Sequence, residues 1–135
     1  MKRRTFLATG AATLAGGCLG LGAGESDYDV GMTSMSFEPE TLTVPVGTTV
    51  VWQNTNSRAH TVTAYAGRIP DGAEYFATGG FDGETAAREQ WFESGGGNIY
   101  GGETFSYTVE VAGTYEYFCI PHESGGMVGA IEVTE

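Results

Sequence analysis

"GTYEYFCIPHESGGMVG", residues 113–129, begins as an alternating strand and ends as a glycine-rich loop. Side chains on an extended chain alternate faces, so Tyr115, Tyr117 and Cys119 share one side while Thr114, Glu116 and Phe118 share the other. Cys119 therefore closes a strand whose inner row is aromatic. In the loop that follows, Cys119, His122 and Met127 are spaced C-x2-H-x4-M, in a chain with only two cysteines and two histidines. A thiolate, a neutral imidazole and a thioether form a soft donor set, which suits copper in both oxidation states far better than magnesium or calcium.

Outward from this stretch the same period-two rhythm recurs in "VGMTSMSFEP" (30–39), "TLTVPVG" (41–47), "TTVVWQN" (48–54), "HTVTAY" (60–65), "ETFSYTVE" (103–110) and "GAIEVT" (129–134), punctuated by Gly, Pro and Asn. In "TTVVWQN", Val50 and Trp52 share a face. Short strands at this density, with no long helical pattern, predict an all-β Greek-key β-sandwich of seven or eight strands. Residues 66–101 break the rhythm. This glycine-rich stretch reads as a long excursion between strands carrying one short helix over "DGETAAREQWF" (82–92), with Asp82 as its N-cap. The second histidine, His60, follows the turn after "TTVVWQN". In a sandwich that strand end and the end of the Cys119 strand can fall at the same pole, which lets His60 complete a trigonal His2Cys set with Met127 as a long axial donor, the geometry of a blue-copper centre.

"GTTVVWQN…H", "GTYEYFCIPHESGGMVG" and "AIEV" together resemble the cupredoxin (type 1 blue copper) family in its plastocyanin branch, most closely halocyanin, over residues 28–135. The resemblance implies a small mononuclear copper protein that carries single electrons between membrane-associated redox partners by cycling Cu(II)/Cu(I), and not an enzyme. It gives the metal positions to His60, Cys119, His122 and Met127. It makes the His122 edge the electron port, inside a small apolar docking patch that includes Ile120, Pro121, Met127 and Val128. Two departures stand out: the 66–101 excursion is long, and Thr61 occupies the position after the first histidine where the family usually has an asparagine that ties the ligand loops together.

The N-terminus reads as a targeting segment. Lys2, Arg3 and Arg4 precede the weakly apolar "TFLATGAATLAGGCLGLGAG", a basic region followed by a short hydrophobic one. "RRTFL" resembles a twin-arginine export signal, and Cys18 in "LAGGC" resembles a lipobox cysteine. The expected organisation is a signal segment over 1–17, a flexible tether over 18–27 and a blue copper domain over 28–135. The implied location is outside the cell, on the outer face of the membrane, held by lipid through the N-terminus and monomeric. Without residues 1–17 the chain keeps Arg58, Arg68 and Arg88 against seventeen acidic residues. Nucleic acid is a poor partner for such a surface, and the lack of lysine resembles proteins of very saline surroundings. Other chemistries fit less well. Cys119 with His122 could be a nucleophile and base, but nothing nearby reads as an oxyanion hole. Copper-delivery sites favour several Met or Cys on mobile loops, and Met is a poor zinc ligand.

Overall fold

The computed structural model describes residues 27–135; the signal segment, Cys18 and nearly all of the tether lie outside the described residues. Among the described residues eight strands form two four-stranded sheets. They are β1 (Val30–Met32), β2 (Phe37–Glu38), β3 (Thr41–Pro45), β4 (Thr48–Asn54), β5 (Thr63–Ala64), β6 (Thr104–Val109), β7 (Gly113–Phe118) and β8 (Val128–Thr134). One sheet has the order β2-β1-β4-β6 and the other β3-β8-β7-β5. β1 runs parallel to β4 and β3 parallel to β8, while the remaining neighbours are antiparallel. This is the cupredoxin-like sandwich expected of the sequence, with one α-helix, α1 (Glu84–Ser94), in the excursion. Among the described residues no helix is long and apolar enough to cross a membrane.

The inner faces follow the alternation. Val50, Trp52, Tyr115, Tyr117 and Cys119 are all fully buried and belong to one cluster with Val30, Met32, Phe37 and Ile131. Trp52 sits at its centre, with ring centroids 5.4 Å from Tyr117, 5.9 Å from Phe76 and 5.6 Å from Phe105.

Three local expectations are corrected. "VGMTSMSFEP" is two strands, not one: Thr33 N–H donates to the Ser36 carbonyl at 2.9 Å and the two side-chain hydroxyls lie 2.6 Å apart, which turns the chain back into the β1-β2 hairpin. "HTVTAY" pairs as a strand only over Thr63–Ala64, opposite Phe118 and Tyr117, because β7 ends at Phe118 and the chain then turns into the Cys119 loop; the excursion covers the free edge. Ala64 N–H donates to Phe76 and Thr78 N–H to Val62, so residues 76–78 run alongside 62–64. Finally, Asp82 does not cap α1. The helix starts later, with Gly83 at the N-cap and no side-chain cap, and the first-turn carboxylate of Glu84 instead accepts the Ala66 N–H at 2.9 Å. At the other end Gly95 takes a left-handed conformation with φ 74° and returns its N–H to Trp91, a position glycine fills without a Cβ clash.

Candidate metal centre

The site forms where the end of β7 meets the turn after β4. That turn is built by Asn54, which is fully buried. Its side-chain amide donates to the carbonyls of Arg58 at 2.8 Å and Ile99 at 2.9 Å, and its Oδ1 accepts the Asn56 N–H at 2.9 Å. His60 follows, with its carbonyl accepting from Ile99 at 2.9 Å. On the other side, Ile120–Gly125 is a tight 3-10 turn ended by Gly126 at φ 94°. Backbone bonds join the three donor-bearing residues of this loop: His122 N–H to Cys119 C=O, Met127 N–H to His122 C=O and Cys119 N–H to Met127 C=O, at 3.1–3.2 Å.

The side chains converge. Nδ1 of His60 and Nδ1 of His122 each lie 3.5 Å from Cys119 Sγ, and the three donor atoms are all within 4.8 Å of one another. Two donors each about 2.1 Å from a common ion are about 3.6 Å apart at trigonal angles, taking bond lengths usual for His and Cys ligands. The spacing thus fits a single ion held among the three. Met127 is fully buried in the same cluster as Cys119.

The electrostatics favour neutral donors. Burial, with smaller effects of His122 and Arg58, lowers the pKa of His60 to about 4. Burial and then Arg58 also lower that of His122. Both imidazoles can therefore offer a lone pair at neutral pH. Burial pushes the Cys119 thiol up to about 11, although the Thr61 N–H pointing at its sulfur from 3.4 Å pulls the other way. A metal held here would have to stabilise the Cys119 thiolate, with the thiol proton lost to solvent on binding.

Thr61 ties the His60 segment to the Cys119 loop. Its buried hydroxyl accepts the Ile120 N–H at 2.9 Å, while its own N–H faces Cys119. Thr61→Val is expected to cost about 1–3 kcal/mol, because the Ile120 N–H loses its acceptor inside the protein. Thr61→Ser keeps the oxygen and should cost clearly less. Denaturant midpoints measured at unchanged m would show the ordering, and equal midpoints would mean that the hydroxyl contributes nothing.

The expected apolar patch is differently composed. Pro121 and His122 are half-buried, whereas His60 is fully buried. Ile120, only 7% exposed, turns inward to pack with Ala77, Ala87 and Phe118, and Met127 is wholly internal. Val128 lies on the flank of the sheet beside Tyr65 and Arg68. The exposed surface next to His122 is instead Ser124, Gly125 and Gly126, together with Met35. Met35 is 40% exposed, and its sulfur would lie 3.0 Å from any Cβ at Gly125. Period two gave no warning of Met35, since the residue belongs to a hairpin turn.

A β-sandwich with a His, Cys and His triad at one pole and a buried Met beside it defines a mononuclear soft-metal protein. Residues 24–134 match the family model of copper binding proteins, plastocyanin/azurin family. The chain is 32% identical over 100 residues to plastocyanin of Scenedesmus fuscus, covering 74% of this chain and 88% of that one. It is 30% identical over 100 residues to plastocyanin of Sambucus nigra, covering 74% and 89%. Among solved structures it is similar to a pseudoazurin from Sinorhizobium meliltoi, with TM-score 0.57 and 28% identity over 78% of this chain and 72% of that chain. It is also similar to an oxidised amicyanin mutant, with TM-score 0.55 and 28% identity over 77% and 78%. The chain belongs to the plastocyanin/azurin family of copper proteins: it is an electron carrier that exchanges electrons with redox partners, and not an enzyme.

Proposed function

We propose that His60, Cys119 and His122 hold one copper ion in a trigonal set, that Met127 is the weak axial donor, and that electrons pass through the half-exposed His122. The observation that carries this reading is the pair of equal 3.5 Å approaches of the two Nδ1 atoms to Cys119 Sγ. When bound, copper supplies one-electron Cu(II)/Cu(I) chemistry. The protein holds the donors so that neither state requires them to move: the ligand loop is closed on itself by backbone bonds, and Thr61 fastens it to the His60 segment. Three strong donors and one weak one are an acceptable compromise for both oxidation states.

The docking rim in this reading is Pro121, the bare 124–126 turn and Met35. A small surface suits brief contact, and the exposed Arg58 is the charge that bears on His122. The partners we infer are redox proteins of a membrane electron-transport chain. Within the family the chain reads as a halocyanin-type protein: exported through the twin-arginine signal of residues 1–17, lipid-anchored at Cys18, tethered by residues 18–27 and working as a monomer on the outer face of the membrane. The acidic composition of residues 18–135, which contain no lysine, supports a very saline setting. At such salt the Debye length is about 3 Å or less, which leaves contact, rather than long-range charge, to select the partner.

The axial role has a direct test in the reduction potential, which the axial ligand tunes. Met127→Leu removes a donor and dries the site, which raises the potential; Met127→Gln adds an oxygen donor that favours Cu(II) and lowers it. Each tenfold change in relative preference for the two states moves a one-electron potential by about 59 mV, and the two variants should differ by at least that. Equal potentials would remove Met127 from the axial position.

A further inference from the structure

We propose that helix α1 of the long excursion is a positioning brace for the His122 loop, acting through Arg88 on Glu123. The proposal rests on the assignment of His122 as a ligand. Glu123 is the next residue after His122 in a turn whose following three residues are exposed and include two glycines, a backbone with much conformational freedom to lose.

Both carboxylate oxygens of Glu123 are engaged. Arg88 Nη1 donates to Oε1 at 2.8 Å, Arg88 Nη2 to Oε2 at 3.2 Å, and the Tyr65 hydroxyl to Oε2 at 2.7 Å. Arg88 is itself oriented by Glu84 one turn earlier, through Nε at 2.9 Å and Nη2 at 2.8 Å. Glu84 closes the circuit by accepting the Ala66 N–H, next to Tyr65. Three segments distant in sequence are thus locked in a ring: the end of β5, helix α1 and the ligand loop. A two-pronged guanidinium contact of this kind fixes orientation as well as distance.

The aromatic layer beneath points the same way. The Arg88 guanidinium lies 4.3 Å from the centroid of Phe118, whose ring also stacks on Tyr65 at 4.4 Å. Phe118 directly precedes Cys119. The brace therefore bears on the chain on both sides of the donor loop, at Phe118 and at Glu123. Attachment of the helix does not depend on it, because Ala87 and Trp91 pack against Ala77, Phe118 and Ile120. Arg88→Met should leave the helix docked, with a long apolar side chain still covering Phe118.

The test compares wild type, Arg88→Met, Glu123→Gln and Arg88→Lys, with Arg68→Met as control. The control removes a largely exposed ion pair to Glu116 on the flank of the sheet, a kind of contact that contributes little, and its long apolar side chain still covers the Tyr65 ring that the Arg68 guanidinium overlies at 5.0 Å. In metal-free full chain, hydrogen exchange at the Gly126 and Met127 amides, which bond to Glu123 and His122 carbonyls, should quicken about tenfold in Arg88→Met and Glu123→Gln, the effect of losing one charge-assisted contact from a local opening. Arg88→Lys, with a single point charge, should fall between, and Arg68→Met should match wild type. In copper-loaded protein the first two variants should also surrender Cu(II) to EDTA about tenfold faster, in the same rank order. Glu123→Gln keeps the side-chain volume and covers the case in which Arg88→Met fails to fold. Exchange at these amides unchanged in both variants, or changed as much by Arg68→Met, would overturn the brace. A wild-type protein that takes up no copper would instead overturn the ligand assignment, while the exchange comparison still decides the brace.

Discussion

The Cys119→Ser protein is expected to fold normally and to stay colourless when Cu(II) is added. The side chain is wholly buried, and its sulfur accepts the Thr61 N–H at 3.4 Å. A serine oxygen can take that hydrogen bond with little change of volume, so the stability cost should be about 1 kcal/mol. The chemistry does not survive the exchange. The thiolate is the only donor of the set that gives intense thiolate-to-copper absorption and a strongly covalent path for the electron. Loss of the visible band and of fast electron exchange, with a thermal transition close to wild type, is the expected pair of observations. An intense blue Cys119→Ser protein would contradict the role given to the sulfur.

The largest effect on stability is expected at Tyr117. Its ring is fully buried and meets Phe37 edge-on at 4.7 Å and Trp52 at 5.4 Å. It also occupies the space a side chain at Gly129 would need, since a Cβ there would come within 2.6 Å of the phenol. Tyr117→Ala should cost about 3–5 kcal/mol, the range for truncating a buried aromatic, which is a large part of the 5–15 kcal/mol that a domain typically has. Tyr117→Phe should behave quite differently. The Tyr117 hydroxyl and the Trp52 indole N–H lie close to one another without forming a hydrogen bond of good geometry, and neither has another partner in the interior. Removing the hydroxyl removes an unmet polar group, so the change should stay within about 1 kcal/mol of wild type or be favourable. Chemical denaturation of both variants separates the ring's packing from its oxygen, and a Tyr117→Phe as damaged as Tyr117→Ala would mean the hydroxyl is bonded after all.

Period two was enough to assign the inner faces of the central strands, because those rows are set by one buried sheet surface each. It could not foretell that Phe118, on the opposite face from Cys119, is also fully buried. That depends on where the excursion lies, and glycine-rich segments without a hydrophobic period carry no signal of their docking. The same gap explains the docking patch. The family resemblance implies an apolar rim in "IPHESGGMVG", yet Ile120 is taken into the cluster under α1 while Met35 arrives from a hairpin turn about ninety positions away in the chain. The convergence of His60, Cys119 and His122 was legible because a soft donor set leaves few candidates: the only two histidines of the chain and the only described cysteine meet at one pole. The role of Arg88 was not, since an arginine on a short polar helix reads as an ordinary surface charge until Glu123 is found opposite it.

The measurement that bears most directly on the central claim is a Cu(II) titration of the wild-type protein followed by visible absorption. The two imidazoles and the buried thiol, 3.5 Å from each Nδ1, should give an intense blue band that grows linearly and stops at one copper per chain, then bleaches fully on one-electron reduction. Uptake of copper with only faint colour, or a band that continues to grow past one equivalent, would contradict a trigonal thiolate site built from His60, Cys119 and His122.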